Sequence, residues 1–205
     1  MPHEIAPPAT PWVAFIRAIN GAPANRIRNV ALVAMIAEAG CTDVVADGHT
    51  GNVFLRADDE PEALACRIEQ RLAHGGLRKA DVVLRSPAEL AQLVESAPFL
   101  GLDPAIYDAE ATFFRRPPQQ RDLVLFTDRG GIVAHVDDSV LCLARPRPRA
   151  GEAAPLLGGA NPFVERHWGV PATSRAWQVV ERVQKNCERW LLRPGGAGSL
   201  SGGCR

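Results

Sequence analysis

Two short polar segments in the first quarter of the sequence suit the binding of an anionic ligand. In the first, Arg17 and Asn20 follow the apolar run at 12–16. At the end of a strand they would offer a guanidinium fork and an amide. In the second, Thr50-Gly51-Asn52, glycine allows close backbone approach and Asn52 supplies both a donor and an acceptor. Both segments also have a structural interpretation, as a strand end and an ordinary turn.

A third polar segment, Thr173-Ser174-Arg175, lies near the end of the chain. Thr173 or Ser174 is predicted to cap the last helix, and the free backbone N–H groups of such a helix start favour anions. Arg175 would add a charged fork to that site. Plain helix capping, with Trp177 packed in the core, is the structural alternative.

The apolar pattern of the first half predicts the elements that would bring the first two segments together. It indicates a strand at 12–16, a helix at 30–39 capped by Asn29, strands at 43–47 and 52–56, a helix from 61 to about 74, and a strand at 80–85. This β-α-β-β-α-β order is typical of a ferredoxin-like unit. In that unit the first and third strands are antiparallel neighbours. We therefore expect Arg17, Asn20, Gly51 and Asn52, together with Arg175, to line one polar pocket. In the alternative structural cluster, Arg17 pairs with an acid such as Asp47.

The second half predicts another mixed unit. Ser86, Pro87 and Glu89 form the pattern of a capping box at the start of a helix that ends near Ser96. Strands are predicted at 111–114, 122–127, 132–136 and 139–143, and helices at 162–168 and 175–192. The expected fold is α+β with two subdomains. The first, 12–86, is ferredoxin-like, and the second, 87–192, is a small, mostly antiparallel sheet with helices. The termini, 1–11 and 193–205, are predicted to be flexible, and 145–155 to be an exposed loop.

Composition narrows the classes of protein. The 205 residues carry 23 basic and 23 acidic side chains, so bulk attraction to nucleic acid or to an anionic membrane is not indicated. The five cysteines are scattered without a Cys-x-x-Cys pair, and the five histidines show no His-x-x-x-His spacing. We therefore predict no metal, disulfide or cofactor, and expect the four cysteines before Cys204 to lie in the core. No signal or membrane-spanning run is seen, which predicts a cytoplasmic protein without a membrane partner.

Five motifs in order along the chain resemble those of a bacterial family. They are Arg-x-Ile-Asn at 17–20, Thr-Gly-Asn at 50–52, Arg-Ser with Glu-Leu at 85–90, Ala-Pro-Phe at 97–99 and Gly-Val-x-Ala-Thr-x-Arg-x-Trp at 169–177. Over about residues 12–191 the chain resembles the family called domain of unknown function 1697, whose usual motifs are Arg-Gly-Ile-Asn, Gln-Ser-Gly-Asn and Thr-Thr-Arg-Asn-Trp. The resemblance implies two α+β subdomains, the first ferredoxin-like, and implies no activity.

The chain departs from these family motifs at several positions. Ala18 replaces a glycine, His49-Thr50 stand for Gln-Ser, and Ser174 and Ala176 replace Thr and Asn. A ligand site in these loops would therefore be altered in this member. The matching positions are Arg17, Ile19, Asn20, Gly51, Asn52, Thr173, Arg175 and Trp177.

Three functional classes remain open from the sequence. The favoured one is binding of a small anionic or nucleotide-like ligand by Arg17, Asn20, Gly51, Asn52 and Arg175. An enzyme of unidentified class using the same pocket is the alternative, although no nucleophile elbow, P-loop or Rossmann glycine pattern is found. A nucleic-acid or protein-binding module is the third. In an RNA-recognition sheet Phe15 and Phe54 would stack on bases, but a core position is favoured for both rings.

Overall fold

The computed structural model describes residues 9–21, 23–128, 130–148 and 159–193. These ranges form eight strands and six α-helices. The strands are β1 (Pro11–Ile16), β2 (Thr42–Asp47), β3 (Asn52–Arg56), β4 (Val82–Arg85), β5 (Tyr107–Phe114), β6 (Ile132–Val136), β7 (Val140–Pro146) and β8 (Ala172–Ala176). The helices are α1 (Asn29–Glu38), α2 (Pro61–His74), α3 (Pro87–Glu95), α4 (Val124–Thr127), α5 (Asn161–Trp168) and α6 (Trp177–Leu191). Most of the predicted termini and of the predicted loop lies outside the described residues, at 1–8, 149–155 and 194–205. The predicted bounds were too wide, because Pro11 begins β1 and Arg145 and Pro146 end β7.

The first sheet has the strand order and path predicted from the sequence. Its order is β2-β3-β1-β4, and every neighbouring pair is antiparallel. With α1 and α2 between its strands, it is the ferredoxin-like arrangement. The predicted capping box of α3 is present, because Ser86 Oγ accepts from the Glu89 backbone N–H and the Glu89 carboxylate accepts from the Ser86 N–H. The order of elements in the first sheet and the start of α3 were therefore predicted correctly.

The start of α1 differs from the prediction. Asn29 is the first residue of the helix rather than its N-cap, and Arg28 at the N-cap position makes no side-chain cap hydrogen bond. Asn29 Nδ2 instead donates to the carbonyl of Gly48 at 2.8 Å, which ties the helix start to the β2–β3 turn. The Asn29 side chain therefore bonds a distant backbone carbonyl and does not cap its own helix.

The second sheet repeats the topology of the first. Its order is β6-β7-β5-β8, again antiparallel throughout, along the path β5-α4-β6-β7-α5-β8. Each unit then ends in a helix, α3 in the first and α6 in the second. We call residues 11–95 the first unit and residues 107–191 the second unit. Two strand registers give the correspondence, since Val13 is opposite Arg85 and Ala111 is opposite Arg175.

One predicted strand of the second half is a helical turn. The run at 122–127 was predicted to be a strand, but Val124–Thr127 form α4. Asp122 Oδ1 accepts from the Val124 N–H at 3.0 Å and starts the turn, and Phe126 is fully buried beside Trp168. A short apolar run fits either a strand or one buried helical turn, so its periodicity alone could not separate them.

Thr173 and Ser174 do not cap the last helix, contrary to the prediction. They lie in β8, opposite Phe113 and Thr112 of β5. The α6 N-cap position is Ala176, which makes no side-chain cap hydrogen bond. The conformation of this segment is set by pairing with β5, which is more than fifty residues away in the sequence. Local capping preferences could not predict that pairing.

Three hydrophobic cores lie on the faces of the two sheets. The outer face of the first sheet packs on α1 and α2, and the outer face of the second packs on α4 and α5. The inner faces share a central core with α3 and α6. At its middle the rings of Phe15 and Phe113, on the first strands of the two units, are stacked with centroids 4.5 Å apart. Both units therefore contribute to one continuous interior between the sheets.

The cysteines follow the core prediction with one exception. Cys41, Cys142 and Cys187 are buried, whereas Cys66 is exposed, so the prediction for Cys66 was wrong. Cys66 lies on the solvent side of α2, where the apolar stripe of the helix does not reach. Cys204 lies outside the described residues. In the ranges that the structure describes, no helix is long and apolar enough to cross a membrane.

Candidate functional site

Arg175 lies where the first and third strands of the first unit meet. As predicted, the end of β1 is beside the start of β3, with Phe15 opposite Asn52. Arg175 reaches this point from β8 of the second unit. Its Nε donates to Asn52 Oδ1 at 2.7 Å, and its Nη2 donates to the carbonyls of Ile16 and Thr50 at 2.9 and 3.0 Å. The predicted residues Asn52 and Arg175 therefore contact each other directly.

The guanidinium of Arg175 has no hydrogen left for an added ligand. Nη1 donates to Thr173 Oγ1 at 2.8 Å and to the Ser174 carbonyl at 2.9 Å. With the bonds from Nε and Nη2, all five N–H groups face protein acceptors. Burial lowers the pKa of the Arg175 guanidinium to about 10, and the ring of Phe15 lies 5.6 Å from its central carbon. Arg175 therefore connects the two units through hydrogen bonds to both of them.

Asn20 and Gly51 support the same loops through backbone contacts. Asn20 Nδ2 donates to the His49 carbonyl at 2.7 Å, and Asn20 Oδ1 accepts from the Ile27 N–H at 2.9 Å. Gly51 has a φ of +77°, and a Cβ there would lie 2.6 Å from the Ile16 carbonyl oxygen. Both residues are thus needed for the local chain path.

Arg17 points away from the other predicted residues. Its Nη1 forms ion pairs with Asp81, at 3.2 Å, and with Glu165 of α5 in the second unit. The acid predicted for the structural alternative, Asp47, contacts Arg182 and Asn186 instead. The structure therefore joins Asn20, Gly51, Asn52 and Arg175 in one region and places the Arg17 charge on a different contact between the units.

The aromatic rings that an RNA-recognition surface would expose are inside the protein. Phe15 is fully buried and Phe54 is 2% exposed. Phe15 stacks on Phe113, and Phe54 stacks on Trp190 of α6 at 5.6 Å. The sheet face that would carry bases is covered by the second unit, as the core interpretation of both rings predicted.

Arg85 is the counterpart of Arg175 in the first unit. It ends β4 as Arg175 lies near the end of β8, and it reaches the second unit. Its Nη2 donates to the carbonyls of Phe114, at 2.7 Å, and Ser139. The Phe113 ring is 5.7 Å from its central carbon. Arg85 thus contacts the second unit across the central core as Arg175 contacts the first.

The two arginines differ at Nε. Asn52, which accepts from Arg175, corresponds to Val140, because Asn52 is opposite Phe15 and Val140 is opposite Phe113. Valine has no acceptor, and Nε of Arg85 donates to no group in the described part of the chain. Arg85 is only 7% exposed. A buried charged donor is left unpaired where the other unit supplies an amide oxygen, and such a group is costly unless something satisfies it.

A cavity of about 190 Å³ lies at Arg85, between α3 and the β6–β7 hairpin. We call it the Arg85 cavity. Its apolar walls include Leu93, Phe113 and Val140. Its remaining polar lining residues are Glu89, Gln92, Ser96, His135, Asp137 and Ser139. Since Val140 lines this cavity and takes the place of Asn52, we assign the unpaired Nε–H of Arg85 to this side. The Nε atom itself has almost no accessible surface, so the cavity wall must shift slightly to admit a ligand oxygen.

Two carboxylates at the cavity, those of Glu89 and Asp137, form no ion pair with Arg85. Burial lowers the pKa of Arg85, while the charges of Glu89 and Asp137 act in the opposite direction. No carboxylate in the described ranges is within ion-pair distance of Arg85. Asp137 Oδ1 accepts from the Ser139 N–H and Oγ and from the Val140 N–H, and its Oδ2 contacts His135 Nε2 at 3.1 Å. Burial opposes ionisation of Asp137, but these bonds prevail and lower its pKa.

The corresponding groove of the first unit is crossed by polar side-chain contacts that the Arg85 cavity lacks. It lies between α6 and the β2–β3 hairpin. There Asn186 Nδ2 donates to Asp47 Oδ1 at 2.7 Å, and Arg182 Nη2 contacts Asp47 Oδ2 at 3.4 Å. Ser96, the α3 counterpart of Asn186, instead donates to the Leu93 carbonyl of its own helix at 2.8 Å. Both grooves contain a cavity, about 280 Å³ beside Asp47 and Asn186 and about 190 Å³ at Arg85. They differ in that Asp47 is bonded to side chains of α6, whereas Asp137 is not bonded to α3.

Sequence reasoning did not select Arg85 as a site residue. It noted Arg85 only as part of the Arg-Ser motif before α3. The internal repeat would have indicated Arg85, and it becomes visible only in the topology and strand register of the two units. Aligned by register, Arg85 and Arg175 end equivalent strands, and the Asn52 to Val140 difference becomes visible.

Comparison with known proteins identifies a family and a similar fold. The family model described as "Protein of unknown function (DUF1697)" matches residues 9–135, more than half of the chain. The solved structure of the conserved bacterial protein SP0830 from Streptococcus pneumoniae is similar, with a TM-score of 0.65 and 14% sequence identity, and the match covers 88% of this chain and 99% of that one. At this identity the similarity concerns the fold alone. No curated protein matches the chain.

Proposed function

We propose that this chain, which belongs to the DUF1697 family as its motifs predicted, binds a small ligand at Arg85. The arginine would hold an anionic group or another oxygen acceptor of that ligand. The single observation that carries the proposal is the unpaired Nε–H of a 7% exposed arginine at a cavity. In the other unit the same donor has the Asn52 oxygen. A ligand oxygen in the Arg85 cavity would take the place of that amide oxygen.

The five residues predicted from the sequence receive a different role in this proposal. Hydrogen bonds within the protein occupy the side chains of Arg175, Asn52 and Asn20. Arg17 forms ion pairs with two acidic residues. These contacts support the structural alternative for all four, with Gly51 required for close backbone approach. The proposed ligand therefore remains small and anionic, but its position moves from the first unit's loops to the second unit's hairpin.

The size of the cavity favours a small metabolite over a nucleotide. Its volume of about 190 Å³ is below the range of about 300–1,000 Å³ that is typical of sites for drug-sized ligands. A nucleotide would extend well beyond the lining residues.

An enzyme using the same cavity is a second candidate because of His135 and Asp137. The His135 ring lies 3.1 Å from a carboxylate that is itself held by backbone N–H groups. An imidazole oriented by a carboxylate is a common general base. Once a ligand is known, turnover that is lost in His135→Asn with binding retained would establish this role.

The proposal is tested by a thermal-shift screen of small carboxylates and phosphates on the wild type and on Val140→Asn. The variant places an amide oxygen where the first unit has one, so it should satisfy Arg85, raise the melting temperature without ligand and abolish the ligand response. Saturation at a hundredfold excess over Kd stabilises a protein by about 2.7 kcal/mol. For a chain of this size that corresponds to a Tm increase of about 5–10 °C.

Val140→Leu is the matched control, because leucine has the branched shape of asparagine without its acceptor. The ligand response should be weaker in Val140→Asn than in Val140→Leu. An equal loss in both would mean that the substitutions only fill space. A ligand response that survives in Val140→Asn would refute the Arg85 cavity as the site.

A further inference from the structure

We infer that the ligand of the Arg85 cavity is a small zwitterion of the amino-acid type, with its carboxylate on Arg85 and its ammonium group towards Glu89. This inference rests on the proposed function and adds the chemical class of the ligand. It follows from the charges of the lining residues, the acceptors that they leave free, and the apolar part of the walls.

The charged lining disfavours a ligand with a net negative charge. It contains one arginine and two carboxylates, Arg85 with Glu89 and Asp137, which is a net charge of −1 when His135 is neutral. A phosphate group carries about −1.5 to −2 near neutral pH and would be repelled by both carboxylates, although their exposure to solvent weakens the repulsion. A lone carboxylate would be repelled less. A zwitterion places its carboxylate on the arginine and its ammonium group beside a carboxylate of the lining, and it adds no further negative charge.

Glu89 offers the acceptor that a ligand ammonium group requires. Its Oε2 accepts from the N–H and the Oγ of Ser86 in the capping box. Its Oε1 accepts from no group within the described ranges. Asp137, in contrast, has both oxygens in use by Ser139, Val140 and His135. Glu89 is therefore the carboxylate left for a cation in the ligand, with a charge-assisted bond available at Oε1.

The apolar walls leave room for a small hydrocarbon side chain. Leu90, Leu93, Phe113 and Val140 line the cavity on its inner side and belong to the central core. An α-amino acid presents its carboxylate and ammonium groups together and its side chain apart from them. Charged groups at Arg85 and Glu89 would thus direct an aliphatic side chain towards these walls.

The test compares L-valine with analogues that lack one charge each. Calorimetry would measure binding of L-valine, N-acetyl-L-valine, L-valinamide and inorganic phosphate to the wild type, Glu89→Gln and Val140→Asn. Glutamine at this position keeps the capping box while it removes the negative charge. We expect L-valine to bind the wild type at least about tenfold more tightly than either analogue, and Glu89→Gln to weaken valine by about tenfold. N-acetyl-L-valine, which is relieved of a repulsion in Glu89→Gln, should bind that variant at least as tightly as it binds the wild type.

The possible results separate this inference from the function on which it rests. Tighter binding of N-acetyl-L-valine or phosphate than of L-valine, lost in Val140→Asn, would overturn the zwitterion and keep the Arg85 site. Valine binding that is indifferent to Glu89→Gln would also overturn it. If neither the four probes nor the wider screen of carboxylates and phosphates binds, the inference and the proposed function both fail.

Discussion

Arg85 and Arg175 hold equivalent positions in the two units, and each guanidinium donates to backbone carbonyls of the other unit. Arg175 bonds Ile16 and Thr50, and Arg85 bonds Phe114 and Ser139. Neither arginine has a carboxylate partner in the described ranges. The charge of each is held by oriented carbonyl dipoles and by the face of a phenylalanine ring, and the units are joined through their backbones.

A second reciprocal pair of arginines lies outside this inner one. Arg17 follows β1 and pairs with Glu165 of α5, while Arg115 follows β5 and pairs with Glu62 and Glu69 of α2. Each arginine thus reaches the second helix of the opposite unit. Such a symmetric exchange explains why Arg17 of the first family motif is occupied by a contact between the units.

Asn52→Val should create in the first unit the unpaired arginine that the second unit already has. The change removes the acceptor of Arg175 Nε and introduces a β-branched side chain, which is suited to a strand. Leaving a buried charged donor unsatisfied costs about 1–3 kcal/mol, so we expect a loss in the free energy of unfolding of that order in urea denaturation.

Asn52→Asp is the control for this substitution, since it keeps an oxygen at the same place beside a cation. It should recover part of the stability that Asn52→Val loses. If the two variants are equally destabilised, the bond from Arg175 contributes little, and the Asn52 Nδ2 contacts to the β2–β3 turn are what matter.

Arg17→Ala should lower stability and leave any ligand response intact. Its side chain is 27% exposed, so solvent screens its pairs and the loss should be about 1 kcal/mol. A double-mutant cycle with Glu165→Gln, measured by urea unfolding, should give a favourable coupling energy of about 0.5 kcal/mol. Loss of the ligand response in Arg17→Ala, with stability unchanged, would instead restore the site first predicted from the sequence.

Gly51→Ala should destabilise the protein more than Gly76→Ala. Both glycines have a positive φ, +77° and +90°, so both substitutions incur the left-handed penalty of about 1–2 kcal/mol. At Gly51 the new Cβ also meets the Ile16 carbonyl oxygen at 2.6 Å, whereas no atom lies within 4 Å at Gly76. The difference between the two melting temperatures reports the close approach of β1 to the turn. Equal effects would show that the turn relaxes to admit a methyl group.

Asp137→Asn should lower stability near neutral pH and have less effect in acid. The folded-state pKa of Asp137 is lowered, so its ionised form stabilises the fold above the unfolded pKa of about 3.9, and that contribution is lost as the pH falls through the folded value. Because the side chain is 48% exposed, we expect at most about 1 kcal/mol at pH 7. Urea unfolding at pH 7 and pH 3 measures the difference in free energy of unfolding between the wild type and Asp137→Asn. If that difference is as large at pH 3 as at pH 7, the effect comes from the shape of the side chain and not from its charge.

The sequence by itself determined the local elements of the first unit and the pairing of its strands. Apolar periodicity gave α2, the Ser86 and Glu89 pair gave the start of α3, and the β-α-β-β-α-β order placed the end of β1 beside Asn52. These features depend on contacts close in sequence or on a topology with few alternatives, so patterns of residue type suffice to predict them.

Only the tertiary structure decided what the polar residues contact. Whether Arg175 meets a ligand or the carbonyls of Ile16 and Thr50 depends on how two units stack, and Thr173 and Ser174 become a strand only because β5 is beside them. The unpaired Nε of Arg85 arises from Val140, fifty-five positions along the chain. Hydrogen-bond satisfaction in a buried interface is a sum over distant partners, and no local pattern encodes that sum.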